Sequence, residues 1–174
     1  MLYQSERLTY RYITMQDLED MYELDSNPLV HKYLGKKPVS TRAQSEAIIK
    51  DLIQQYETYN LGRVAVIRKS DNAFLGWSGL KYETVVREEF NYYDIGYRLK
   101  EAHWGQGYAT ESAVASLKYG FEQLQFEKIG GAAEIEHVVS NHILQKIGLK
   151  KGEQFVFDNT ECNWYELSKE EYRG

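Results

Sequence analysis

The chain has 174 residues, of which 43% are hydrophobic and 27% charged, with a formal net charge of −5. That length and composition fit a single globular domain over 1–174, and the slight negative balance excludes an overall basic field for nucleic acid. The start "MLYQSERLTY" is too polar for a signal peptide and no later run approaches a membrane span, so no membrane partner is expected. The single cysteine, Cys162, leaves no internal disulfide, which fits a cytoplasmic protein.

In chain order, "RLTYRYI" alternates Leu8, Tyr10 and Tyr12 against polar neighbours and reads as a strand. "TMQD" supplies a Thr14/Asp17 capping pair ahead of a helix carrying Leu18, Met21 and Tyr22. "SNPLVHKYL" offers Asn27 as cap and Pro28 as first residue of a short helix. A longer helix runs from Ser40 or Thr41 to Tyr59, with Ile48, Leu52, Tyr56 and Tyr59 as its stripe. Three strands follow, "RVAVIRK", "AFLGWSGLKYE" and "FNYYDIGYRL", separated by "SDN" and "VREE", and they predict an antiparallel meander.

A helix from Tyr108 to Gln123 comes next, with Ala113, Leu117 and Phe121 on one face, and then a strand "KIGGAAEIE" weakened by Gly130 and Gly131. "SNHILQKIGL" reads as a short helix closed by Gly148, and "EQFVFD" and "CNWYELS" as a hairpin. The order predicts a mixed α/β fold on one sheet, with no repeat or linker.

The stretch "HWGQGYATES" carries the most chemistry. Gly105 and Gly107 allow positive φ or a close approach just before a helix begins. The N–H groups of Gln106, Gly107, Tyr108, Ala109 and Thr110 would then face outward at the positive end of a helix, which suits a diphosphate. It is neither a dinucleotide fingerprint, which needs a third glycine, nor a P-loop, which needs Gly-Lys-Ser/Thr. Upstream, Asp94 lies in an apolar strand with Gly96 two residues on, on the same face. That places a carboxylate beside a gap in the side-chain wall, although plain alternation would make Asp94 a solvated outward residue. The four histidines show no metal spacing, so no metal is expected. Glu111 reads as a carboxylate favoured by the helix dipole, and Cys162 as a strand residue.

With these residues in view, the chain resembles the GNAT superfamily of acetyl-CoA-dependent N-acetyltransferases, and within it the branch of ribosomal-protein N-terminal (alanine) acetyltransferases. "DIGYRLKEAHWGQGYATESA" matches the cofactor segment, "SERLTYRYITMQDLEDMYEL" the opening strand and helix, "SNHILQKIGLKKG" the last helix and "NWYELSKEEY" the closing strand. The resemblance implies a mostly antiparallel sheet, splayed at the cofactor site, with helices on both faces. It implies that Gly105 to Thr110, together with Trp104, hold the CoA diphosphate, that the main chain of Tyr97, Arg98 and Leu99 pairs with the pantetheine arm, and that Ser140 lies at the cofactor. Two positions depart from the pattern. His137 replaces an Asn, and Leu144 replaces the tyrosine that protonates the departing thiolate.

The function so implied is transfer of acetyl to a primary amine, on a peptide N-terminus or a small molecule. Asp94 would serve as proton acceptor, and Tyr92, Tyr93 or Tyr97 as thiolate acid; Tyr92 shares the face of Asp94. An acceptor pocket is expected from the two N-terminal helices and a loop near Trp77 to Tyr82. Homodimerisation stays open. A non-catalytic acetyl-CoA-binding module and a plain interaction domain are the alternatives, separated by CoA binding and thiol release.

Overall fold

A computed structural model describes residues 1–33 and 37–174. Its eight strands are β1 (Tyr3–Gln4), β2 (Leu8–Tyr12), β3 (Gly62–Arg68), β4 (Phe74–Glu83), β5 (Tyr92–Leu99), β6 (Lys128–Glu134), β7 (Lys150–Phe157) and β8 (Thr160–Ser168). They form one sheet in the order β1-β2-β3-β4-β5-β6-β8-β7, antiparallel at every pairing but β5 with β6. The helices are α1 (Leu18–Ser26), α2 (Arg42–Tyr59), α3 (Tyr108–Lys118) and α4 (Val138–Lys146).

Local sequence explains most of these limits. Thr14 and Asp17 form a reciprocal capping box ahead of α1, and Thr41 and Gln44 form another at α2. Asn60 ends α2 in the left-handed conformation, at φ 50°. Asp158 and Asn159 both take positive φ, so the last hairpin closes through a two-residue turn of the type that matches strand twist. The helix expected over Tyr108 to Gln123 is α3 followed by one wider π turn over Tyr119–Gln123.

The short helix expected from Pro28 does not form. Residues 28–33 are turns, and the last residue of that expected helix, Leu34, lies outside the described residues. Asn27 does behave as a cap, with its Oδ1 accepting from Leu29 N at 2.9 Å, but the bonds that follow run to Asn27 O and Leu29 O and no ladder develops. A cap signal and a turn signal share these residues.

Strand β3 is buried on both faces and separates two cores. Ala65 and Ile67 meet Met21 and Leu24 of α1 and Ile49 and Leu52 of α2. Val64 and Val66 face the other way, toward Tyr108 and Ala115 of α3. The buried stripe of α2 is therefore Ser45, Ile49 and Leu52, with Ile48 and Tyr56 at its margin, and Tyr59 is half exposed. The α3–α4 side closes over Leu80, Ile95, Ile129, Tyr165 and Leu167. Helices thus cover both faces of the sheet, as the family pattern implies.

The parallel junction matters most for function. Strands β5 and β6 pair in register at Asp94 and Gly130. Beyond that point β6 stays on β8 and β5 stays on β4, so the two strands part. Gly130, which weakened the strand reading, is required there. A Cβ would lie 2.3 Å from the indole of Trp164 and 3.0 Å from the ring of Tyr92.

Candidate active site

The parting strands open a cleft of about 1370 Å³. Its walls include Asp94 to Leu99 of β5, Ala132 to Glu134 of β6, His137 to Ser140 at the head of α4, and His103 to Gly105 with Gly107 to Thr110; Gln106, also expected at the cofactor, is not in the lining. The sequence-derived site residues that line it are Tyr92, Asp94, Tyr97, Arg98, Leu99, Trp104, Gly105, Gly107, Tyr108, Ala109, Thr110 and Ser140.

At one end stands the glycine loop. Gly105 and Gly107 take φ of 71° and 80°, the conformations expected of them. Gly107 is the N-cap of α3, and no side chain among the described residues caps it, so the first N–H groups of α3 lack an intrahelical or side-chain acceptor there. The loop is pinned at several points. Trp104 Nε1 donates to Leu99 O at 2.8 Å, and Gln106 Nε2 donates to Ala102 O at 3.2 Å. Arg7, which carried no signal in the sequence, donates from Nη1 to Gln106 O at 3.1 Å and lies 4.4 Å over the Tyr108 ring. Its Nε donates to Glu111 Oε2 at 2.7 Å, while Glu111 Oε1 accepts from Arg7 N and Ser5 Oγ. Glu111 thus does more than sit in a helix dipole. It ties the β1–β2 turn to the first turn of α3.

In the middle, Tyr97 points toward α4. Its hydroxyl lies 3.1 Å from Ser140 Oγ and 3.3 Å from Ser140 O. Burial pushes the phenol well above the usual tyrosine range. Leu144, in the place of the family tyrosine, is core, packed with Ile95, Ile129 and Leu149. His137 caps α4 by accepting from Ser140 N at 3.4 Å. Asn141 anchors the helix head, donating to Glu134 O and accepting from Asn163 and Tyr165.

On the α1–α2 face of β5, Asp94 is neither solvated nor free. The Arg63 guanidinium pairs with Asp94 Oδ2, donates to Asp94 O at 2.8 Å and also bonds Gly79 O. The gap expected at Gly96 is therefore filled by Arg63, where a Cβ would meet Nη2 at 2.6 Å. Burial pushes the Asp94 carboxyl above the usual carboxylate range; Arg63 and Lys81 pull it down without cancelling that push. Tyr92, on the same face, has its ring edge-on to Trp164 and an enclosed hydroxyl without a hydrogen-bond partner among the described residues, and burial raises its pKa. Trp77 belongs to β4 rather than to a loop, and the guanidiniums of Arg63 and Arg98 lie 5.4 and 4.9 Å from its ring. Arg98 pairs with the buried Asp25 of α1, so its charge is turned to α1.

Among the described residues, no group of three His, Cys, Asp or Glu side chains is placed to hold a metal, and no helix is long and apolar enough to cross a membrane.

Comparison with known proteins agrees with this fold. The family model for the acetyltransferase (GNAT) domain matches residues 7–150. The chain belongs to the GNAT acetyltransferase family. It is 28% identical over 151 residues to the uncharacterized N-acetyltransferase p20 of Bacillus licheniformis, covering 84% of this chain and 81% of that one. The crystal structure of a GNAT-family acetyltransferase from Bacillus anthracis superposes with a TM-score of 0.80 at 25% identity, covering 97% and 98% of the two chains. The fold is shared with two further proteins. The spermidine N-acetyltransferase of Vibrio cholerae, solved with CoA and spermine, gives a TM-score of 0.79 at 18% identity over 95% and 98% of the chains. The ribosomal L7/L12 α-N-protein acetyltransferase RimL, solved with CoA, gives 0.79 at 14% over 96% and 97%. The alternative of a non-catalytic binding module finds no support among these proteins.

Proposed function

We propose that the protein transfers the acetyl group of acetyl-CoA to a primary amine, on a peptide N-terminus or a small molecule. The observation that carries this reading is the continuity of the cleft. It runs from an uncapped helix N-terminus, past the free edge of a strand, to a half-buried carboxylate.

Each segment suits one part of the reaction. The first N–H groups of α3, with Gly105 to Thr110 and the Arg7 guanidinium beside them, suit the CoA diphosphate. Trp104 holds that loop onto the end of β5. The edge of β5 from Tyr97 to Leu99, unpaired where β6 departs, suits an amide-bearing arm added like a strand. The thioester then lies near the Asp94–Gly130 bridge, where a strand N–H between Gly96 and Arg98 stabilises the tetrahedral oxyanion.

The acceptor arrives as an ammonium, and Asp94 takes its proton directly or through a water. The neutral nitrogen attacks the carbonyl carbon, the tetrahedral adduct collapses with cleavage of the C–S bond, the nitrogen releases its second proton to water as the amide forms, and the departing thiolate needs a proton. Tyr97 is the better donor than Tyr92, because its hydroxyl reaches Ser140 across the slot while that of Tyr92 is enclosed against Trp164. Raised pKa values keep both phenols protonated at neutral pH. An α-amine, with a reference pKa of about 7.7–8.0, asks less of Asp94 than a lysine-type amine of about 10.4. The resemblance to ribosomal-protein N-terminal acetyltransferases points the same way. Incubation with acetyl-CoA and a panel of peptide N-termini, polyamines and other small amines, read by free-thiol release, tests this function. Thiol release with at least one amine is expected, and CoA binding without release from any would contradict it.

A further inference from the structure

The carboxylate assigned as proton acceptor is held by a device spanning three strands. Arg63 of β3 stands in register with Gly79 of β4, and Gly79 stands in register with Gly96 of β5. Two successive rungs therefore carry no side chain. The Arg63 side chain lies across both and reaches the far strand, with its own side chain only 8% exposed. It is braced on the way by the Gly79 and Asp94 carbonyls and by the Trp77 ring, and at the end it grips Asp94 Oδ2. Asp94 Oδ1 carries no hydrogen bond among the described residues, is not enclosed, and belongs to a residue lining the cleft.

We propose that Arg63 is the positioning residue of the acceptor-deprotonating carboxylate, and that Gly96 is the strand position that admits it. This rests on the reading of Asp94 as proton acceptor. An arginine does not give up its proton in a protein, so Oδ2 stays an acceptor toward Arg63 throughout the reaction. The ammonium proton must then arrive on Oδ1, the oxygen that Arg63 leaves free of a hydrogen bond. The step is balanced: the ammonium N–H bond breaks, an Oδ1–H bond forms, and a neutral amine and a neutral carboxylic acid result. The acid afterwards returns its proton to water. Among the described residues, the other ionisable groups that interact with Asp94 are Lys81 and Glu83 of β4, which pair with each other at 2.5 Å, and Tyr92 and Tyr97 of its own strand.

Gly96→Ala tests this while leaving Arg63 and Asp94 chemically intact. The new methyl would stand 2.6 Å from Nη2 and drive the guanidinium off the carboxylate. Acceptor kcat/KM should fall about 10²-fold, the loss expected when a catalytic group is displaced by about 1 Å. The acid limb of the pH profile should move to higher pH, because a carboxylate losing its cationic partner binds protons more tightly. Acetyl-CoA affinity, read by thermal shift, should be unchanged. In an Asp94→Asn background, Gly96→Ala should cost little more, since both changes disable one unit. Arg63→Lys, a point charge without the fork, should shift the limb in the same direction and carries the test if Gly96→Ala does not melt cooperatively. An unmoved acid limb in the variant that folds, or losses that simply add in the Asp94→Asn background, would overturn the role of Arg63. If Asp94→Asn alone matches wild type at every pH, the assignment of Asp94 fails, and the role of Arg63 fails with it.

Discussion

Tyr97 on β5 and Ser140 on α4 bring their hydroxyls to 3.1 Å across the gap that opens where β5 and β6 part. One helical turn further on, Leu144 fills the place of the family's thiolate acid and is buried in the core. Under the proposed function, this hydroxyl pair is the chain's own source of a proton for the departing sulfur.

Replacing Tyr97 by Phe should therefore lower kcat with acetyl-CoA, by about 10²-fold if the phenol is a general acid. The loss should shrink with an aryl thioester donor, whose thiolate leaves without needing a proton. Since burial raises the Tyr97 pKa, wild type should show no falling limb from this group at or below the usual tyrosine pKa. Steady-state rates with the two donors check this; equal losses with both would remove Tyr97 from the proton path.

The glycine loop should be intolerant at Gly107. Acetyl-CoA at 100 times its Kd should stabilise the fold by about 2.7 kcal/mol. Gly107→Val should abolish that stabilisation, because a β-branched side chain resists the φ of 80° that aims the first N–H groups of α3 outward. Thermal-shift titrations of both proteins decide it. A normal shift in the variant would reduce the loop to a turn.

The Arg7–Glu111 tie should make the loop sensitive to acid. Burial pushes Glu111 up, but bonds from Arg7 N, Ser5 Oγ and Arg7 Nε outweigh it and hold the carboxyl below its ordinary value. A depressed folded-state pKa means the contribution is present above the unfolded value, about 4.5, and is lost as pH falls through the folded one. Glu111→Gln should cost about 1 kcal/mol at neutral pH, since Arg7 is half exposed, and should flatten the fall in Tm below that value. Melting curves between pH 3 and 7 (~1 unit steps, wide enough to bracket the transition) check it. An unchanged slope would show that the tie carries no stability.

The sequence made the short-range features legible and hid the long-range ones. Helix boxes at Thr14–Asp17 and Thr41–Gln44, the β3–β4–β5 meander and the left-handed glycines at 105 and 107 follow from residues within a few positions of each other. The turns at 28–33 are not legible in the sequence, because Asn27 signals a helix cap and an Asx turn alike. Arg63 and Arg7 gave no local sign, because their partners lie 31 and 104 residues away. The trace Arg63 leaves in the sequence is Gly96, which reads as a gap in the side-chain wall and is the space its guanidinium fills. Asp94 itself was legible as an acid in an apolar strand, but its burial and its pairing were not.

The central claim is that Asp94 removes the acceptor's proton. Rate-versus-pH profiles for wild type and Asp94→Asn at saturating acetyl-CoA test it most directly. In wild type the rate should rise with pH along a limb set partly by Asp94, whose carboxyl burial holds above the usual range. In the variant CoA affinity should persist while turnover falls about 10²–10⁴-fold. That defect should narrow as pH rises and more of the amine is already neutral. Superimposable profiles would contradict the account.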